Sequence, residues 1–138
     1  MQLGTFAAVF EAAIALEKNL ARLYEAQANQ PDPLGQLYRE LARDGRRRLQ
    51  RLERTRRETV TEMILVPITD LALSDDLAAL GDVDPAAPLT PARARALEDA
   101  ACRFYQQAAA RIGQDEAARA LGRLAEDNAR RARQLQGL

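Results

Sequence analysis

The sequence predicts an all-α fold, an antiparallel four-helix bundle with one long crossover between its second and third helices. Three observations carry that expectation. Four segments place apolar residues at steps of three and four, each between recognisable start and stop signals. The links within the first pair and within the second pair are short, which favours antiparallel hairpins. About thirty residues separate the pairs, and the two halves repeat one another.

The first helix is expected over 5–29, capped by Thr5 and stopped by Gln30-Pro31-Asp32-Pro33. Asp32 as N-cap, with Pro33 at the first helical position, opens the second over 33–58. The crossover, 59–89, contains Pro67, the clusters Ser74-Asp75-Asp76 and Asp82-Val83-Asp84-Pro85, and the apolar stretches Met63-Ile64-Leu65-Val66 and Leu71-Ala72-Leu73. A connection of that length is expected to carry structure of its own, and it is apolar enough to pack on the bundle. Thr90-Pro91 repeats the start signal for a third helix over 91–112, which Gly113 ends. Asp115 caps a fourth over 115–136. The whole, 1–138, is expected to be one domain.

The repeat is visible in the letters. ALEKNLARLYEAQA at 15–28 lines up with ALEDAACRFYQQAA at 96–109, and Leu41-Ala42 lines up with Leu124-Ala125. The offsets, about 81 and 83 residues, are nearly equal.

Composition removes several classes of function. Charge is balanced, 20 basic against 20 acidic residues, so no global field recruits nucleic acid or an anionic membrane. Histidine is absent, which removes the commonest general base and the commonest metal ligand together. The single cysteine, Cys102, excludes an internal disulfide and a thiolate cage. No apolar run approaches the roughly 18 to 20 residues needed to span a bilayer. MQLGTFAAVFEAA lacks a basic n-region and soon meets Glu11, so no secretion signal is expected and a cytoplasmic protein is. Lys18 is the only lysine among the basic residues, a bias that suits a GC-rich bacterial genome. No glycine-rich phosphate loop or nucleophile–base pair supports another enzyme class.

The core stripes carry the informative residues. They are Phe10, Ile14, Glu17, Ala21, Tyr24 and Ala28 in the first helix, and Leu34, Tyr38, Leu41, Gly45, Arg48 and Leu52 in the second. The third gives Glu98, Ala101, Tyr105, Ala109 and Ile112, and the fourth Leu121, Leu124, Asn128, Arg131 and Leu135. At mid-bundle Glu17, Arg48, Glu98, Asn128 and Arg131 interrupt an otherwise apolar surface. A lone buried charge costs several kcal/mol, so these groups are expected to pair. Two glutamates facing two arginines make the neutral arrangement.

With these residues the chain resembles the ferritin-like superfamily, and within it the rubrerythrin-type di-iron domain. That family places a glutamate in an Ala-Leu-Glu…Phe-Tyr helix, then Leu-Ala-x-x-Glu-x-x-His, and then both again. The resemblance implies a ferritin-like bundle whose lone glutamates and Glu-x-x-His motifs hold two irons. Glu17 and Glu98 match the lone glutamates. LARDGRRR at 41–48 puts Gly45 and Arg48 at the second motif, and LAEDNARR at 124–131 puts Asn128 and Arg131 there. Four of the six ligand positions are therefore replaced. A guanidinium keeps its proton, cannot ligate, and repels a divalent cation.

The expectation is a pseudo-enzyme, in which a Glu–Arg network stands where the metals would be. It would have no catalytic residue and no cofactor, and would serve as a structural or protein-interaction module, as a homodimer or with another protein. The alternative is a weak iron-binding or peroxide-handling protein using Glu17 and Glu98 with help from Glu40, Asp44, Glu126 or Asp127. Under it Tyr24 and Tyr105 are redox neighbours; under the first they bond the network. Cys102 is expected to be an inert core residue rather than a reactive thiol. RRRLQRLERTRRE at 46–58 lacks interleaved aromatics and is interrupted by Glu53 and Glu58, so a solvated face is expected over a nucleic-acid surface. EMILVPITDLAL is either a strap over the bundle or a partner-binding segment, and a bundle cavity could take a small apolar ligand.

Overall fold

A computed structural model describes residues 3–63 and 67–138. It is all-α, with five helices in the described residues: α1 (Phe6–Ala26), α2 (Leu34–Met63), α3 (Asp75–Ala78), α4 (Pro91–Arg111) and α5 (Asp115–Gln136). A short 3-10 turn, Leu80–Asp82, follows α3.

The start signals act through identifiable hydrogen bonds. The Thr5 hydroxyl accepts from Ala8 N at 3.0 Å, and the Thr90 hydroxyl from Arg93 N at 3.1 Å with Pro91 at the first position. Elsewhere the sequence misplaces the ends. α1 stops at Ala26, because Ala28 and Gln30 close turns onto Glu25 and Gln27 instead of continuing the helix. α2 begins at Leu34, and the Asp32 carboxylate is taken by Arg39 at 3.0 Å. α2 also runs five residues beyond Glu58, since no breaker stands before Pro67. α4 ends in an extended Ile112 without a positive-φ glycine, and the side chain of Gln114, not Asp115, caps α5 by accepting from Ala117 N at 2.6 Å.

The turn between α1 and α2 requires glycine at Gly35. A Cβ there would lie 1.9 Å from the Gln30 carbonyl oxygen, so any side chain collides with backbone.

α1 packs on α2, α4 on α5, and α2 on α5. Where α1 meets α2 and α4, and where α2 meets α5, higher numbers on one helix face lower numbers on the other. Glu25, Ala21 and Glu17 of α1 meet Arg46, Gly45 and Arg48 of α2, and Ala28, just past α1, meets Arg39. Asp44 and Arg48 of α2 meet Arg131 and Asn128 of α5. Glu17 and Tyr24 of α1 meet Tyr105 and Glu98 of α4.

The described part of the crossover is held at both ends. Leu3 N donates to Leu71 O at 2.9 Å and Ile68 N to Gly4 O at 3.0 Å, beside an isolated bridge between Thr5 and Pro67. Leu77 and Leu80 are buried; α3, which carries Leu77, packs on α4, and the turn Leu80–Asp82 packs on α1. The expected apolar stretch 63–66 lies outside the described residues except at the helical Met63. No helix among the described residues is long and apolar enough to cross a membrane.

Candidate functional site

Glu17, Glu98, Arg48, Asn128 and Arg131 are brought together at mid-bundle, each from a different turn of α1, α4, α2 or α5. All are at most 1% exposed. The reason is helical phase: each continues an apolar stripe, so packing the stripe inward carries the polar residue with it.

The contacts pair each glutamate with an arginine and a tyrosine. Arg48 Nη2 donates to Glu17 Oε2 at 3.2 Å and to Asn128 Oδ1 at 2.8 Å. Arg131 Nη1 donates to Glu98 Oε2 at 3.3 Å, and Asn128 Nδ2 to Glu98 Oε1 at 2.6 Å. Tyr24 donates to Glu98 Oε2 and Tyr105 to Glu17 Oε2, both at 2.5 Å. Asn128 therefore joins the two ion pairs into one network, donating to one half and accepting from the other. Arg131 also reaches α2, donating from Nη2 to Leu41 O and to Asp44 Oδ2, each at 3.1 Å.

Burial and charge set the protonation of this network. Burial, reinforced by the neighbouring carboxylates Glu98 and Glu17, pushes the Tyr24 and Tyr105 phenols well above their ordinary range. Burial opposes the charge on Arg131, but Glu98 and Glu17 outweigh it and hold the guanidinium protonated more firmly than usual. Among the described residues four buried side-chain atoms have no hydrogen-bond partner: Glu17 Oε1, Arg48 Nε, Arg48 Nη1 and Arg131 Nε.

Gly45 lies against the site without being forced to be glycine. A Cβ added there would stand 3.4 Å from Ala21 Cβ and 3.7 Å from Arg131 Nη2, both ordinary contacts.

The donor set does not fit a pair of divalent metal ions. Two guanidiniums occupy the centre, and they and the tyrosines already engage one oxygen of each glutamate. Among the described residues no group of three or more acidic or cysteine side chains converges. Glu40 and Glu126 are exposed, and Asp127 pairs with Arg130 at 3.0 Å.

The remaining residues singled out in the sequence separate cleanly. Cys102 is half-buried, and burial, then Asp99, pushes its thiol up. In the run 46–58, Arg48 points inward while Arg46, Arg47, Arg51, Arg54 and Arg57 are exposed.

Sequence reasoning placed Asp44 outside the core stripe and so missed its partnership with Arg131, a side chain long enough to reach around α2. It also missed Gln27, which is buried and holds the crossover. Its Nε2 donates to Pro85 O at 3.1 Å and Ala87 O at 2.8 Å, and its Oε1 accepts from Leu89 N at 3.3 Å. Beside it the Tyr38 hydroxyl donates to Leu89 O at 2.8 Å. The only signal was position: Gln27 falls three residues after Tyr24, on the inward side of α1.

No family model, curated protein or solved structure matches this chain.

Proposed function

We propose that this chain is a ferritin-like, rubrerythrin-type bundle whose metal centre has been replaced by an ion-pair network, and that it acts as a non-catalytic structural or protein-interaction module. The observation that carries the reading is the pairing of Glu17 with Arg48 and of Glu98 with Arg131. The arginines stand where the resemblance places histidine ligands, and their charges offset the carboxylates that metal ions would otherwise neutralise. The order of neighbours supports the ferritin-like arrangement. Each helix of one hairpin meets a helix of the other with opposed numbering, and the crossover contacts both ends of α1.

The experiment is elemental analysis of protein purified without chelator from cells grown in iron-rich medium. Far less than one equivalent of iron, manganese or zinc per chain is expected. Two equivalents of iron with an oxo-bridged di-iron absorption would overturn the reading.

A further inference from the structure

Arg48 satisfies one nitrogen and leaves two. Its Nη2 serves Glu17 and Asn128, while Nε and Nη1 are buried without a partner. An unanswered buried N–H is expensive, and a guanidinium N–H more so, because desolvation is not returned by a bond. Such a group is normally met by something that sits beside it.

The space beside it exists. Arg48 forms part of the wall of a cavity of about 50 Å³ in the seam between α2 and α5. The rest of the wall comes from Arg51, Leu52 and Thr55 of α2 and from Ala120, Arg123, Leu124 and Asp127 of α5. The charges facing it are unequal. Asp127, the acidic residue of the wall, is engaged by Arg130, and Glu17, outside the wall, is engaged by Arg48 through Oε2 alone. Arg51 and Arg123 take part in no ion pair among the described residues. The cavity therefore has three guanidiniums against one carboxylate that is already paired, the Thr55 hydroxyl being spent on Arg51 O at 3.0 Å.

We propose that this cavity binds a small monovalent anion, such as chloride, nitrate or formate, between Arg48, Arg51 and Arg123. Size sets the class. One water needs roughly 10–15 Å³ on this measure, so a cavity of about 50 Å³ holds about three to five water-sized groups, which takes formate or nitrate readily, sulfate only at its limit, and no phosphate ester. Charge sets the sign, because the N–H groups of arginine donate and never accept. The anion meets a buried donor of Arg48 and draws in the two exposed arginines, which would close the seam over it. Binding would thus tie the surface of α2 and α5 to the Glu17–Arg48 pair beneath. The cavity and its donors are the same whatever the bundle's ancestry, so a failure of the metal-replacement reading leaves this site intact.

Two measurements test it. Melting temperature is followed against sodium nitrate, formate and bromide at ionic strength held constant with sodium sulfate, in the natural chain and in Arg51→Gln/Arg123→Gln. Both arginines are exposed, so the variant keeps the core. A saturating rise in the natural chain, reduced at least tenfold in apparent affinity in the variant, is expected. Shifts that are linear and equal in the two proteins overturn the proposal. Independently, crystals of the natural chain soaked in bromide should show an anomalous peak within hydrogen-bonding distance of Arg48. Ordered waters in the cavity with no bromide overturn it as well.

Discussion

Tyr105 of α4 donates its hydroxyl to Glu17 of α1 at 2.5 Å. The bond is returned with the helices exchanged, because Tyr24 of α1 donates to Glu98 of α4 at the same distance. The internal repeat explains the reciprocity. In each half the tyrosine follows the glutamate by seven residues, two helical turns along the same face. Where α1 and α4 run past one another in opposite senses, each tyrosine comes level with the other helix's glutamate.

Removing one of these hydroxyls takes a donor from a buried carboxylate and puts nothing in its place. Tyr105→Phe should destabilise the protein by about 1.5–3 kcal/mol, the usual range for a hydrogen bond to a charged group. The penalty should be the larger of the two tyrosines, because Glu17 Oε1 already has no partner while both oxygens of Glu98 do. Urea unfolding of Tyr105→Phe and Tyr24→Phe decides it. Losses below about 0.5 kcal/mol in both would mean that the bonds are not made in solution.

Alkaline titration should be abnormal for every tyrosine in the chain. Burial pushes Tyr38 up as well as Tyr24 and Tyr105, and the sequence has only three. A phenol whose folded pKa is raised stabilises the folded state below its unfolded pKa, about 10, and that stability is lost as pH climbs toward the folded value. Stability should therefore be level up to about pH 10 and then fall, by up to about 1.4 kcal/mol per pH unit for each phenol. Absorbance at the phenolate band should lag behind that of free tyrosine and rise together with loss of helix. A phenol that titrates near 10 in folded protein would contradict the buried geometry.

The arginine–glutamate pair offers a sharper test through coupling. Arg48→Met leaves Glu17 buried with only Tyr105 beside it, and should destabilise by about 3–5 kcal/mol. Adding Glu17→Gln removes the uncompensated charge and should recover much of the loss, giving strong non-additivity in a double-mutant cycle. Unfolding midpoints that simply add would show that the two side chains do not share an environment.

Much of this centre could be read from the letters because a core stripe has a period, and a charged residue in phase with it must be buried. Glu17, Arg48, Glu98, Asn128 and Arg131 all fell that way, as did the start signals at Thr5 and Thr90. The ends of α1, α2 and α4 were less legible, since what continues or stops a helix is packing as much as propensity. Asp44 and Gln27 were missed for a different reason. Each acts through a partner distant in sequence, Arg131 on α5 and residues 85–89 of the crossover, and no local pattern records such a meeting.

Restoring the ligands tests the ancestry itself. The quadruple change Gly45→Glu, Arg48→His, Asn128→Glu, Arg131→His would create two Glu-x-x-His motifs facing Glu17 and Glu98, with each pair of side chains on one helix face. The site has room for it. A Cβ at Gly45 makes ordinary contact with Ala21, and its other near neighbour, Arg131 Nη2, disappears in the variant. Asp44 loses Arg131 but keeps Arg47, 3.6 Å away. Without metal the variant should be less stable than the natural chain, because four carboxylates then crowd a centre with no cation to offset them. Metal that binds only the folded state should raise its melting temperature, and cobalt should report coordination through its visible spectrum. The natural chain should show neither effect, since Arg48 and Arg131 hold the same volume. A folded variant that ignores cobalt, iron and manganese would mean that the helices do not bring these six positions to one centre, and the proposed relationship to di-iron proteins would fall with it.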